Sequence, residues 1–162
     1  MPTQSELQTL AEVTAFLSKE ADMLDHKEYE QWLDLWSDSG MYIVPIDHRE
    51  TDYKNSLNVA YDDAEMRKMR TARLSSGEAV STQEAVFTIR TLSRMRILGE
   101  EGGVVHARCA YCLYENKASG LRNYPANVEF KLRRDEGEFK IEEKVVRVMK
   151  SDQYLTTTCY LF

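Results

Sequence analysis

The sequence has few of the side chains from which metal centres and catalytic sites are most often built. Its 162 residues include three histidines, three cysteines and seven glycines. A mononuclear iron site needs two histidines and a carboxylate held together, and the spacing of His26, His48 and His106 brings no two of them together. No glycine-rich phosphate loop and no GxSxG motif occurs. We therefore predict that the chain has no catalytic residue, metal or cofactor of its own.

The cysteines are too few for a disulfide framework. An odd, small number of them fits a reduced, cytoplasmic setting. Cys109 and Cys112 imitate a CxxC metal pair, but an offset of three along a strand places them on opposite faces, so one metal cannot bind both. A Rieske cluster needs paired cysteine and histidine motifs, which are absent.

The chain also lacks long apolar runs and an excess of positive charge. No run approaches the ~20 apolar residues of a membrane span, and Met1–Thr9 has neither the basic start nor the apolar core of a signal peptide. The formal net charge of −6 argues against nucleic acid as a partner. The length predicts a single domain over residues 1–162.

What the sequence does contain is a series of alternating apolar residues between Ala85 and Lys150. A period of two predicts strands with one buried and one exposed face. Short, glycine-containing links at 100–103 and 135–138 predict antiparallel hairpins, because parallel strands need a dozen or more residues between them. The alternating apolar sets are Phe87, Ile89, Met95 and Ile97; Val105 to Leu113; Ala126 to Leu132; and Phe139 with Ile141.

The last strand contains a change of parity. Phe139 and Ile141 set one parity, whereas Val146 and Val148 take the other. Because a shift of one residue exchanges the two faces of a strand, this pattern predicts a bulge near Glu143–Val145.

Helical periodicity comes before the sheet. An apolar stripe from Leu7 to Leu24, with Ser5 and Gln8 as a capping box, predicts an amphipathic helix that packs on the sheet. The predicted elements are a helix over Ser5–Asp25, a helix over Glu28–Trp36, a strand over Met41–Pro45, a loop over Asp47–Asn58 and a helix from Asp62.

Two groups of residues are candidates for contacts with another subunit. Three arginines of the first long strand are predicted to share the face opposite its apolar row, where they need carboxylates from this chain or from a partner. The last three residues are bulky and apolar, which predicts an ordered, buried segment in a strand or an interface. The interface candidates are Arg90, Arg94, Arg96, Tyr160, Leu161 and Phe162.

One catalytic arrangement stays open. Asp25 and His26, at the end of the first helix, would line a cavity between helices and sheet together with Tyr29, Tyr42 and Asp47. A buried Asp25 or His26 would serve there as a general base. The alternative for His26 is a favourable positive charge at a helix C-terminus.

An ordered set of residues runs over almost the whole chain, and no single motif in it is decisive. It comprises Leu24–Asp25, Tyr29–Glu30, Trp32–Leu33, Leu35, Asp38, Tyr42, Pro45, Tyr61–Asp63, Arg70, Arg73–Leu74, Gly77, Ala79, Arg90–Leu92 and Phe162. With this set the sequence resembles the small (beta) subunit of aromatic-ring-hydroxylating dioxygenases.

The resemblance implies both a fold and a role. The implied fold is α+β and cone-shaped, a strongly curved antiparallel sheet with N-terminal helices on its concave face, similar to nuclear transport factor 2 and scytalone dehydratase. The implied role is that of a non-catalytic partner of a large alpha subunit in an α3β3 hexamer, with beta–beta contacts that form a homotrimer. The alpha subunit would hold a Rieske [2Fe–2S] cluster and a mononuclear iron, and would add dioxygen to an arene to give a cis-dihydrodiol.

Two rival functions remain at this point, because one fold hosts many functions. The first is a stand-alone dehydratase or isomerase that uses Asp25 or His26 as general base, and it predicts a closed apolar pocket that reaches these residues. The second is a ligand-binding module without chemistry, which predicts saturable binding of a small aromatic compound.

Overall fold

The computed structural model describes residues 1–76, 87–149 and 161–162. Its helices are α1 (Gln4–Asp25), α2 (Tyr29–Leu33) and α3 (Ala64–Ser76), with one 3₁₀ turn at Tyr53–Asn55. Its strands are β1 (Trp36–Pro45), β2 (Asn58–Asp62), β3 (Phe87–Glu101), β4 (Val104–Lys117), β5 (Gly120–Asp135) and β6 (Glu138–Val148).

The six strands form one sheet in the order β2-β1-β6-β5-β4-β3. All neighbours are antiparallel except β1 and β6, which run parallel. The α+β class is therefore confirmed, but the prediction that the sheet is wholly antiparallel was wrong for the β1–β6 pair. Parallel neighbours need a long connection, and here the whole segment from β2 to β5 separates the two strands.

The two predicted hairpins are confirmed. Gly102 and Gly103 join β3 to β4, and Glu136 and Gly137 join β5 to β6. All four residues have positive φ values between 49° and 87°, a region in which glycine has no steric penalty. The predicted alternation in β4 is also confirmed, since Val105 to Leu113 are buried at every second position.

In β3 the predicted pattern of faces was wrong. Phe87 and Ile89 are exposed, whereas Met95 and Ile97 pack against the core. The cause is a shift of register between Ser93 and Arg96, where Arg94 has a φ of 54°. The two halves of the strand therefore direct opposite parities inward.

In β6 the predicted change of parity is confirmed. The register shifts between Ile141 and Glu143, just before the predicted position. Phe139 and Ile141 are buried before the shift, and Val146 and Val148 are buried after it.

Helix α1 begins earlier than predicted. The Thr3 hydroxyl accepts the Glu6 N–H at 3.2 Å, and the Glu6 carboxylate accepts the Thr3 N–H at 2.6 Å, so the capping box lies two residues before the predicted one. Val13 and Leu17 are fully buried, whereas Leu7 is exposed. Within the described residues, no helix is long and apolar enough to cross a membrane.

The segment after α1 contains two further corrections. The second helix was predicted to reach Trp36, but it ends at Leu33, and Trp36 begins β1. Asn58–Asp62 forms β2 at the edge of the sheet, where a loop and a helix start were predicted. The third helix begins at Ala64, and the Asp63 carboxylate accepts the Met66 N–H at 3.0 Å.

Candidate functional site

The space between α1 and the inner face of the sheet contains a group of enclosed polar side chains, named here the interior polar cluster. Helix α1 contributes two of them, and strands β1, β3, β4 and β6 contribute one each. Its members are Glu20, Asp25, Tyr42, Arg90, Tyr111 and Lys144.

Glu20 and Lys144 form the best-enclosed ion pair of the cluster. Their side chains are fully buried, and Lys144 Nζ donates to Glu20 Oε1 at 2.6 Å. The same oxygen accepts the Trp32 indole N–H at 2.8 Å, and Lys144 also donates to the Phe162 carbonyl. Burial lowers the pKa of Lys144, and the charge of Glu20 opposes that effect. The pair therefore fastens α1, α2 and β6 to one another.

Asp25 is held by β3. Its carboxylate accepts the Arg90 backbone N–H at 2.8 Å and the Thr88 hydroxyl at 3.1 Å, and it pairs with the Arg90 guanidinium. The Arg90 side chain is only 3% exposed and also donates to the Leu161 carbonyl. Burial lowers the pKa of Arg90, but Tyr111 and Asp25 raise it by more. Both Asp25 oxygens are thus engaged in holding the chain together.

The other pocket candidates do not converge on one site. Tyr42 is buried, its hydroxyl accepts the Phe162 N–H at 3.0 Å, and burial raises its pKa to about 12. Tyr29 is partly buried against the core. His26 and Asp47 lie at the surface, with His26 Nδ1 2.9 Å from the Asp22 carbonyl and Asp47 bonded to Arg49.

The interior is occupied by the end of the sequence. Leu161 and Phe162 are at most 2% exposed and belong to the hydrophobic core, where Phe162 packs edge-on against Tyr124 with ring centroids 5.9 Å apart. Two clefts of about 690 and 560 Å³ lie instead at the surface, beside the start of α1 and beside the β5–β6 turn. Neither cleft is lined by Asp25, His26 or Tyr42.

Sequence reasoning did not include Glu20 and Lys144 in the site. Glu20 lies on the buried stripe of α1 with Leu17 and Leu24. A carboxylate on an otherwise apolar helix face indicates a buried charge with a partner, and this signal was present in the sequence. Lys144 shares its parity with the buried Val146, and the bulge in β6 makes that parity the inner one.

The outer face of the sheet carries a second group of candidates. Arg94 and Arg96 are exposed there, and Arg94 donates to Asn127. Arg96 lies directly opposite Arg108 of β4. Glu129 is opposite Arg108 on the other side, but its carboxylate is 3.8 Å from Arg147. Arg94, Arg96 and Arg108 are named here the outer arginine cluster.

Apolar side chains accompany these arginines on the same face. Phe87 is 66% exposed and Leu121 is 68% exposed, and Asn116 separates them across the β3–β4–β5 register. Ile89, beside Tyr114, is 48% exposed. Three large side chains close together on one exposed sheet face are typical of an interaction surface.

The six interface candidates therefore lie in different places. The prediction that the three arginines share a face was wrong, since Arg90 lies inside and the other two lie outside. Leu161 and Phe162 are enclosed by the chain itself. Tyr160 lies outside the described residues.

Within the described residues, no group of three or more His, Cys, Asp or Glu side chains is close enough to hold a metal ion. The three histidines lie on different parts of the fold, since His26 follows α1, His48 follows β1 and His106 is on β4. Cys109 is buried and Cys112 lies on the outer face. This donor set does not fit an iron centre or an iron–sulfur cluster.

Comparison with known sequences gives a match over most of the chain. Residues 19–152 match the family described as "Ring hydroxylating beta subunit". The small oxygenase component of the p-cumate 2,3-dioxygenase system of Pseudomonas putida is 29% identical over 84% of this chain and 77% of its own length. The benzene 1,2-dioxygenase subunit beta of Pseudomonas putida is 31% identical over 72% of this chain and 66% of its own length.

Solved structures share the fold. The beta subunit of a benzoate 1,2-dioxygenase from Burkholderia mallei superposes with a TM-score of 0.74 at 20% identity, over 99% of this chain and 100% of that one. A chain of naphthalene 1,2-dioxygenase, solved with indole in the active site, gives 0.78 at 16% identity, over 99% and 95% of the two chains.

Proposed function

This chain belongs to the ring hydroxylating beta subunit family, and from that membership we propose that it is the non-catalytic small subunit of a multicomponent aromatic-ring-hydroxylating dioxygenase. The observation that carries the proposal is the family match over residues 19–152. The interior of the fold is consistent with it, because its own Leu161 and Phe162 lie where a catalytic pocket was expected. The comparisons give no support to a stand-alone dehydratase or isomerase.

Beta subunits of this family partner with an iron-containing alpha subunit. We propose that the partner of this chain holds the Rieske cluster and the mononuclear iron, and that it adds dioxygen to the aromatic substrate to give a cis-dihydrodiol. The match of residues 19–152 to the beta-subunit family supports this division of roles. In this division of roles the chain has a structural function, which is to bind the other subunits through its surface.

We further propose an α3β3 assembly in which three copies of this chain contact one another. Support comes from the exposed apolar residues Phe87, Ile89 and Leu121, since obligate interfaces usually exceed ~2,000 Å² and are apolar at their centre. A single domain over residues 1–162 is also proposed, because one sheet and one core include all the described strands.

A cytoplasmic location is the last part of this proposal. Cys109 and Cys112 are free thiols. Burial raises the pKa of Cys109 to about 11, which keeps this thiol protonated and unreactive. Free cysteines in a folded domain fit a reducing compartment.

The test is capture of the tagged chain from its native cells, followed by mass and iron analysis of the eluted complex. We expect a larger, iron-containing subunit in equal stoichiometry. Leu121→Asp should reduce the yield of the assembly, whereas Leu57→Asp, at a loop position that is 79% exposed, should not. An iron-free homo-oligomer from cells that express the whole system would refute the proposed function.

Removal of Tyr160–Phe162 is predicted to weaken the assembly. The Leu161 carbonyl accepts a hydrogen bond from Arg90, and the Phe162 carbonyl accepts one from Lys144. The Phe162 N–H donates to the Tyr42 hydroxyl. Loss of these hydrogen bonds would loosen the core of the subunit. The measurement is the mass of the co-expressed complex at a fixed concentration. A truncated chain that still forms the full complex would contradict the prediction.

A further inference from the structure

Two members of the outer arginine cluster have no carboxylate among the described residues of their own chain as an ion-pair partner, although the chain is rich in acidic residues. The sequence has 27 acidic residues against 21 lysines and arginines, yet neither Arg96 nor Arg108 forms an ion pair within the part of the chain that the structure describes. Like charges directly across two strands repel each other. The carboxylate of Glu129, which is the partner of Arg108 in the register of β4 and β5, lies 3.8 Å from Arg147. The arrangement is unfavourable in an isolated subunit and favourable beside carboxylates from outside.

The same chain presents such carboxylates at one end of its sheet. The β3–β4 and β5–β6 turns lie at the same end, because Glu101 pairs with Val104, Val104 with Arg133 and Asp135 with Glu138. Four exposed residues at this end form no ion pair within residues 1–76 and 87–149. They are Glu101, Asp135, Glu136 and Glu138, named here the acidic end.

We propose that the outer arginine cluster of one copy of this chain binds the acidic end of a second copy. This inference rests on the proposed beta–beta contacts and names the surfaces that form them. The two surfaces are different, so the contact is head-to-tail, and head-to-tail contacts close into rings when the rotation permits. Each copy then uses its arginine cluster once and its acidic end once, as a closed trimer requires.

Arginine suits this contact because its guanidinium binds a carboxylate through two parallel hydrogen bonds. The apolar residues Phe87, Ile89 and Leu121, which lie farther along the same face of the sheet, add buried area that charged groups alone do not provide. The charged pairs fix the orientation of one copy on the next, and the apolar residues contribute most of the affinity.

A site-specific cross-link tests the contact directly. In the co-expressed complex, with Cys112→Ser as background, one copy of the gene carries Arg96→Cys and a differently tagged copy carries Glu136→Cys. Mild oxidation should join the two tagged chains, and neither variant expressed alone should give the cross-link. The matched control replaces Arg96→Cys by Arg49→Cys, an exposed arginine of the loop after β1.

Charge reversal provides a second readout. Arg96→Glu with Arg108→Glu, or Glu101→Arg with Glu136→Arg, should each weaken the beta–beta contact at least about tenfold in the dissociation constant, because like charges then face one another. All four substitutions in one chain should restore the contact. Arg49→Glu should leave it unchanged.

The outcomes separate this inference from the proposed function. Absence of the cross-link together with no effect of either charge reversal would overturn the inference, even if the iron-containing subunit is still captured. Capture of no such subunit, with the cross-link present, would instead refute the proposed function and leave the contact between copies intact.

Discussion

At the scale of single residues, Gly40 has the least room for a side chain. A Cβ atom there would lie 2.7 Å from the Ile141 carbonyl oxygen and 2.9 Å from Trp36 Cε3. We predict that Gly40→Ala lowers the free energy of unfolding by about 1–3 kcal/mol, because backbone and ring must both move. The measurement is urea denaturation of the purified chain.

Gly99→Ala is the matched control for that substitution. Gly99 lies in β3, where an added Cβ atom would meet nothing within 4 Å, and its φ is not positive. Its replacement should change stability by less than about 0.5 kcal/mol. Equal effects at Gly40 and Gly99 would show that the close approach of β1 to β6 is not a constraint.

The Glu20–Lys144 pair gives a second prediction. Lys144→Met leaves the buried Glu20 carboxylate without its cation, so we expect a loss of about 3–5 kcal/mol in denaturant unfolding. Lys131→Met removes a lysine from a partly exposed pair with Glu143 at 3.2 Å, and it should cost less than about 1 kcal/mol. Similar losses for the two lysines would refute the role assigned to the interior pair.

At the scale of elements, the end of α1 is predicted to respond to pH through His26. A hydrogen bond with the Asp22 carbonyl, and then the charges of Asp22, Glu28 and Asp25, raise its pKa above the ordinary value of 6.5. Because the pKa of His26 is higher in the folded state, the protonated imidazole stabilises the fold fully below pH 6.5. This contribution is lost as the pH rises through the pKa that His26 has in the folded state.

The Tm of the wild-type chain should therefore exceed that of His26→Gln by more at pH 5.5 than at pH 8.5. Thermal unfolding in matched buffers measures this difference. A difference that stays constant over this range would contradict the prediction.

Asp25 covers part of the free edge of β3. Strand β3 ends the sheet, and the Asp25 carboxylate takes the place of a neighbouring strand at the Arg90 N–H. Asp25→Ala should lower the free energy of unfolding by about 3–5 kcal/mol, because Arg90 would remain buried without its counter-charge. Amide exchange at Arg90 should become faster in the same variant.

Asp22→Ala is the control on the same helix. The Asp22 side chain is 70% exposed, so its removal should lower the free energy of unfolding only slightly. It should not alter amide exchange at Arg90. If Asp25→Ala behaves like Asp22→Ala, the carboxylate does not cover the strand edge.

The elements that the sequence predicted well are those with local signals. Alternation in β4 and β5 and the glycine turns depend only on neighbouring residues, and they were confirmed. The prediction of which face of β3 is buried was wrong because the identity of residue 94 as arginine does not indicate that its φ is positive. The pairing of β1 with β6 was not predicted, since it joins segments far apart in the chain.

At the scale of the whole molecule, Cys112 reports on assembly through the outer face. It lies on β4 between Thr91 and Pro125, four residues along the same face from Arg108 of the outer arginine cluster. We predict that iodoacetamide labels Cys112 in the isolated chain and labels it much less in the assembled complex. Tandem mass spectrometry locates the modification, and the buried Cys109 serves as the internal control in both samples. Equal labelling of Cys112 in the two samples would contradict the proposed interface.

The family of the whole molecule was predictable from sequence, but the candidate site was predictable only in part. Asp25 and Tyr42 were named, yet their role as anchors for Arg90 and Phe162 depends on contacts across more than sixty positions of sequence. His26 was placed with them because it follows Asp25 in the chain, but the helix ends there and leaves it at the surface.

The parallel pairing of β1 with β6 has a consequence for the order of synthesis on the ribosome. Ile43 and Val145 are partners about 100 positions apart. At roughly 5–20 residues per second, β1 would wait on the order of 5–20 s for the strand that completes it. During that interval β1 and β2 form only an isolated hairpin, which is marginally stable at best in water. A nascent chain with an open strand edge for so long is a natural client for a chaperone, and its yield should depend on translation speed between β2 and β6.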